Sequence, residues 1–118
     1  WIPIGYPSDL LRADIMLRGN KNMVGKNSKI HGKVTNSSIG NNCSIHGNVE
    51  RSIIMDNTAV GKNSLITDSV VGENAYFSGR ASNAVVADNS RIKNSIVKNC
   101  RIWPNKTISN KTIISDFK

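Results

Sequence analysis

Aromatic side chains are scarce in this chain: two Trp, two Tyr and two Phe in 118 residues. A compact core organised around stacked rings is thereby excluded. Only two cysteines are present, which rules out a disulfide scaffold of the kind that holds small secreted domains together. No Cys/His spacing suited to a metal ion occurs, so no metal or cofactor is expected in this segment. Acidic residues number 8 against 16 basic ones, leaving a net charge of +8. No apolar run approaches the roughly 20 residues that cross a bilayer, and no secretory leader is visible, so the expectation is a cytoplasmic segment without membrane contact.

What the chain does contain is repetition. Asn36-Ser-Ser-Ile-Gly-Asn-Asn-Cys-Ser-Ile45, Arg51-Ser-Ile-Ile-Met-Asp-Asn-Thr-Ala-Val60, Asp68-Ser-Val-Val-Gly-Glu-Asn-Ala-Tyr-Phe77, Asn83-Ala-Val-Val-Ala-Asp-Asn-Ser-Arg-Ile92 and the shorter Asn94-Ser-Ile-Val-Lys-Asn-Cys-Arg-Ile102 are variants of one phrase. A period of about fifteen to seventeen residues, assembled from units of about six, predicts an all-β solenoid of about five coils. Within each hexad an aliphatic residue and a small residue four positions later point inward, as in Val24 and Ser28, Ile39 and Cys43, Val60 and Ser64, Val71 and Ala75, Ile108 and Thr112. Asn27, Asn42, Asn57, Asn63, Asn74 and Asn89 occupy turns, where Asn tolerates left-handed backbone angles. Cys43 and Cys100 fall in inward slots several coils apart, and are expected to be buried free thiols.

Residues 1–20 stand outside the repeat and residues 21–118 form the solenoid domain. Trp1-Ile-Pro-Ile-Gly-Tyr-Pro7 is punctuated by proline, and Ser8-Asp9 then offers helix-start chemistry ahead of Leu10, Leu11 and Leu17. A short N-terminal α-helix is predicted, ending near Gly19-Asn20, to cap the solenoid or join it to a preceding domain.

The net positive charge raises the question of nucleic acid. Lys26, Lys29, Lys33, Lys62, Arg80, Arg91, Lys93, Lys98, Arg101, Lys106 and Lys111 fall at variable outward positions, without the aromatic interleaving that single-strand binders use. A solvated basic surface is expected, with no nucleic-acid partner. His31 and His46, each following an inward Ile and preceding a Gly, lie one coil apart on one outer face. Self-association through the flat faces of the solenoid is expected, as a dimer or trimer. Met55, Tyr76 and Trp103 are the large apolar groups placed to mark an interface, but for Trp103, beside Pro104, a cap on the last coil is the first reading.

Trp1-Ile-Pro-Ile-Gly-Tyr-Pro-Ser-Asp-Leu-Leu-Arg-Ala-Asp14 resembles the Trp-x-Asp-Ile-Gly-x-Pro-x-Asp-Tyr-Leu-x-Ala-Asn segment that closes the catalytic domain of the sugar-1-phosphate nucleotidyltransferases, a family that includes the mannose-1-phosphate guanylyltransferases. Ser52-Ile-Ile-Met-Asp-Asn57, Ser69-Val-Val-Gly-Glu-Asn74 and Ile102-Trp-Pro-Asn-Lys106 are likewise similar to phrases of that family's hexapeptide repeats. The resemblance implies a left-handed parallel β-helix that follows an N-terminal nucleotidyltransferase domain. It implies a parent reaction in which a nucleoside triphosphate and a sugar 1-phosphate give a nucleotide sugar and pyrophosphate, with Mg²⁺ as the cofactor of that domain. Pro3 stands where the family has an Asp that helps hold the Mg²⁺, and proline offers no carboxylate. No catalytic residue is therefore assigned in this segment, whose expected role is oligomerisation or regulation. Two alternatives remain open: a hexapeptide-repeat acyltransferase using His31 or His46 as general base, and a scaffold subunit with a degenerate nucleotidyltransferase domain.

Overall fold

A computed structural model of the protein describes residues 22–114. The predicted N-terminal helix, Trp1 and Pro3 lie outside the described residues.

The described chain is a parallel β-helix with three faces. The first face stacks Met23–Val24, Ser38–Ile39, Ile53–Ile54, Val70–Val71, Val85–Val86 and Arg101–Ile102, in that order. The second stacks Lys29–Ile30, Ser44–Ile45, Ala59–Val60, the beginnings of Tyr76–Ser82 and Arg91–Lys98, and Thr107–Ser109. The third stacks Val34–Thr35, Asn48–Glu50, Leu65–Thr67, the ends of the same two long strands, and Thr112–Ile114. Every neighbouring pair is parallel, and the other two faces of each coil supply the crossover that parallel pairing demands. Six rungs stack on each face, one more than the five similar phrases suggest, because the first and last coils are looser versions of the repeat.

The inward residues form a single column of hydrocarbon. Ile39, Ile54, Val71, Val86 and Ile102 come from the first face, Ile45, Val60, Phe77 and Ile92 from the second, and Val49, Ile66, Ala81 and Val97 from the third. One ring enters this column, and the same coil that carries Phe77 reduces its third-face residue to Ala81, so volume is balanced within the coil. Val24 and Ile30 in the first coil and Ile108 and Ile113 in the last are less covered than their counterparts, as expected for end repeats with one neighbour instead of two.

Small polar side chains at the corners close the backbone. Between the first and second faces, Ser28 Oγ donates to Gly40 O at 2.6 Å, Thr58 Oγ1 to Gly72 O at 2.6 Å and Ser90 Oγ to Trp103 O at 3.0 Å. Cys43 takes the same place, its Sγ lying 3.0 Å from Met55 O. Between the third and first faces, Ser37, Ser52 and Ser69 make a second ladder. Ser52 Oγ donates to Glu50 O at 2.7 Å and accepts the Ser69 N–H at 3.1 Å. Ser52→Ala leaves that buried donor unmatched, and should cost about 1–3 kcal/mol in a urea titration. A loss below about 0.5 kcal/mol, the range of ordinary surface changes, would show that the ladder carries no stability.

The turn asparagines behave as the sequence predicts: Asn27, Asn42, Asn57, Asn63, Asn74 and Asn89 have φ between 54 and 62°. A further left-handed column runs between the third and first faces through Asn36, Arg51, Asp68, Asn83 and Asn99. There Arg51 Nε donates to Asp68 Oδ1 at 2.8 Å across adjacent coils.

Coil length varies at one corner. The step between stacked residues is 15 from Ser38 to Ile53, 17 from Ile53 to Val70, 15 from Val70 to Val85 and 16 from Val85 to Arg101. The path from the second to the third face explains all of it. Phe77 to Ala81 spans four residues, Ile92 to Val97 five, and Val60 to Ile66 six, whereas the other two corners keep constant length. The five-residue form at Ile108 to Ile113 corrects one expectation. Thr112 does not point inward but is exposed, and Lys111 takes the position stacked on Ser95, its N–H bonding Ser95 Oγ at 3.1 Å.

Candidate association surface

The outer side of the first face is apolar along most of its length. Its strand positions present Met23, Ser38, Ile53, Val70, Val85 and Arg101, and the residues just beyond the inward aliphatics present Gly40, Met55, Gly72, Ala87 and Trp103. Val70 and Val85 are buried at 1% and 8% exposure yet lie outside the core column. A groove of about 400 Å³ runs over them, walled by Met55, Ala87, Trp103 and Pro104. A second depression, lined by Met23, Ile53 and Met55 among others, continues it toward the first coil. Met55 belongs to both. Trp103 is 69% exposed and Met23 53%, so large apolar groups border the strip at both ends.

Charge borders this strip, with Arg101 and Asp88 lining the groove and Asp56 and Glu73 the second depression. Asp56, Glu73 and Asp88 follow one another along the corner between the first and second faces. Two of these carboxylates are engaged with the backbone, Asp56 Oδ1 accepting the Asn41 N–H at 2.8 Å and Asp88 Oδ1 the Glu73 N–H at 2.8 Å. All eleven basic residues singled out from the sequence are exposed, and they occur on every side of the solenoid.

The structure thus brings Met55 and Trp103 together and separates Tyr76 from them, on the second face. His31 and His46 also lie on that side, their rings stacked with centroids 4.7 Å apart and planes 7° from parallel. His46 Nε2 is 3.0 Å from Ser44 Oγ. Among the described residues no carboxylate bonds either ring, and the acid that orients a catalytic imidazole is not found there. Among the described residues no group of three or more His, Cys, Asp or Glu can hold a metal ion. No described helix is long and apolar enough to cross a membrane.

Cys43 and Cys100 are buried and free. Burial pushes both thiols above their ordinary pKa, outweighing the lowering effect of nearby hydrogen bonds. A thiol raised on folding contributes stability that is fully present below the unfolded pKa, about 8.5, and is lost as pH rises through the folded value. The urea midpoint should therefore fall in alkaline solution, and Cys43→Ser with Cys100→Ser should flatten that fall. An unchanged slope in the double variant would sink the assignment.

Sequence reasoning placed Met55 and Trp103 outside the core but missed the outward valines between them. The run Val70-Val71 and the run Val85-Val86 carry the signal, since each has one more aliphatic residue than the interior of a thin solenoid accepts. The family model described as "GMPPB C-terminal domain" matches residues 14–116. No curated protein matches the chain.

Proposed function

Because the chain belongs to the GMPPB C-terminal domain family, that of the mannose-1-phosphate guanylyltransferase-like proteins, we propose that it is the assembly domain of a sugar-1-phosphate nucleotidyltransferase. The parent reaction joins a nucleoside triphosphate and a sugar 1-phosphate with release of pyrophosphate, in the GDP-mannose direction. That chemistry resides in an N-terminal domain using Mg²⁺. The described part of this chain offers no carboxylate cluster for such an ion. Its contribution is to hold copies of the enzyme together in the cytoplasm.

The observation that carries the reading is the continuous apolar strip from Met23 through Met55 to Trp103. Exposed apolar strips of this kind mark association sites, and an aromatic anchor beside a groove is typical of the residues that dominate interface energy. A second copy is the occupant proposed. In a twofold contact the same patch of each copy meets its counterpart, and this strip is one such patch.

The test is light scattering on the chain at micromolar concentration, alone and as Met55→Asp with Trp103→Asp. A dimer or trimer that becomes monomeric in the double variant supports the reading, whereas a monomeric wild-type chain overturns it. Pyrophosphate release by the chain joined to its N-terminal domain, with GTP, mannose 1-phosphate and Mg²⁺, tests the parent reaction. Acyl transfer by His31 or His46 gains less support, because the two rings contact each other and a serine rather than an acid.

A further inference from the structure

The corner at which coil length varies also bears a depression, lined by Tyr76, Ser78, Arg91, Lys93 and Asn94. It sits where the ladder between the two long strands slips. Phe77 pairs with Ile92 and Gly79 with Ser95, so Ser78 alone faces both Lys93 and Asn94. Such a bulge bends its strand and re-aims the side chains beside it. Here it sets the Asn94 N–H on the Ser78 hydroxyl, with Lys93 lining the same depression.

Every lining group is a donor or can act as one. Arg91 and Lys93 are exposed and make no ion pair with a described residue. Ser78 Oγ accepts the Asn94 N–H at 3.0 Å, which leaves its own hydroxyl proton to donate. The Tyr76 hydroxyl reaches back across Gly61, where a side chain is missing. A Cβ on Gly61 would lie 2.6 Å from Tyr76 Oη and 3.0 Å from the Cβ of Ser78, so both hydroxyl-bearing side chains come close to one point. The outward positions of this face, Lys29, Ser44, Ala59, Tyr76, Arg91 and Thr107, include no acid. The nearest carboxylates along the chain, Glu73 and Asp88, each three residues from a lining residue, lie on the adjoining corner, where Asp88 Oδ1 accepts the Glu73 N–H.

We propose that this corner is a binding site for a phosphate-type oxyanion, held by the guanidinium of Arg91, the ammonium of Lys93 and the hydroxyls of Tyr76 and Ser78. Arg91 and Lys93 are two residues apart on one strand, about 6.6 Å along it, a spacing across which a guanidinium fork and a long ammonium side chain can converge on two oxygens of one tetrahedral group. The two hydroxyls supply direction and distinguish the site from a diffuse positive surface. Its place on the second face makes it independent of the association strip on the first. Failure of either reading therefore leaves the other standing.

The test is a titration of the chain at fixed ionic strength with inorganic phosphate, pyrophosphate and a sugar 1-phosphate in turn. Binding is followed by amide shifts of residues 76–79 and 91–95. Saturable shifts confined to that corner are expected. Arg91→Ala with Lys93→Ala should weaken binding at least tenfold. Gly61→Ala, which pushes the Tyr76 hydroxyl aside without altering charge, should weaken it several-fold. Lys29→Ala with Lys33→Ala removes the same charge elsewhere and should leave binding within about twofold, as expected for screened distant charges. Equal weakening by that control pair, or shifts that never saturate, would overturn the site in favour of general attraction to a basic protein. The ligand bound tightest of the three identifies whether a free anion or the phosphoryl group of a sugar phosphate is the occupant.

Discussion

Ile54→Asp is expected to abolish the cooperative unfolding transition, leaving a chain without a defined melting point by circular dichroism. Ile54 is 1% exposed and stacks between Ile39 and Val71 on the first face. Replacing it removes about 1.5–3 kcal/mol of burial. The replacement also places a carboxylate where none of the neighbouring inward residues can pair with it, and a buried unpaired charge costs several kcal/mol more. A domain of this size has roughly 5–15 kcal/mol in total. Position matters as much as chemistry, because each coil is stabilised by the coils above and below it. A break in the middle of six rungs leaves two fragments, each with two exposed ends. Ile54→Val keeps the shape and should cost only about 0.5–1.5 kcal/mol. If the Asp variant melted with the wild type, stacking of the inward column could not be the source of stability.

Gly79→Ala should be nearly as damaging, although it adds a single methyl group. Gly79 has φ of 125°, a region essentially closed to residues with a side chain. An added Cβ would also strike the backbone of Ser95 in the next coil, meeting its carbonyl oxygen and coming within 2.7 Å of its nitrogen. Backbone cannot step aside as a side chain can, so relief requires the ladder between the two long strands to part. Strain alone costs about 1–3 kcal/mol, and the parting adds lost hydrogen bonds at about 0.5–1.5 kcal/mol each. A urea titration should therefore show a loss of about 3 kcal/mol or more. The contrast is Arg51→Asn, at a left-handed position with φ of 46°. That change exchanges an exposed ion pair of small value for a residue suited to the backbone, and should leave stability within about 1 kcal/mol. A Gly79→Ala variant as stable as Arg51→Asn would show that this corner is far looser than its contacts indicate.

Most of the solenoid was legible in the sequence because stacking forces like residues into like places. The inward aliphatics, the serine and cysteine slots and the asparagine turns could all be read from their spacing. What escaped had one cause. Hexad spacing implies corners of equal length, whereas the corner between the second and third faces has three lengths. On equal spacing Thr112 falls inward, whereas the slot stacked on Ser95 belongs to Lys111, whose side chain is exposed, and the slip opposite Ser78 is invisible. Arg51 and Asp68 in left-handed geometry escaped for a different reason. The column they share is imposed by the coils on either side, and arginine gives no local sign of accepting it. Tyr76 and Arg91 lie fifteen positions apart, and only the register of the rungs makes them neighbours. The extra residue between Ile92 and Val97, relative to Phe77 and Ala81, was the signal available.

Confining length changes to one corner has a consequence for how such a chain can be altered. Two thirds of every coil is held in strict phase with its neighbours, so a residue added there would rotate all that follows and misplace each inward side chain beyond it. Extra residues at the remaining corner, as at Lys62-Asn63, are absorbed before the next rung begins. New material can therefore enter this domain along one edge without rewriting the rest. Peptide grafts, affinity tags and natural insertions are all best sited on that edge.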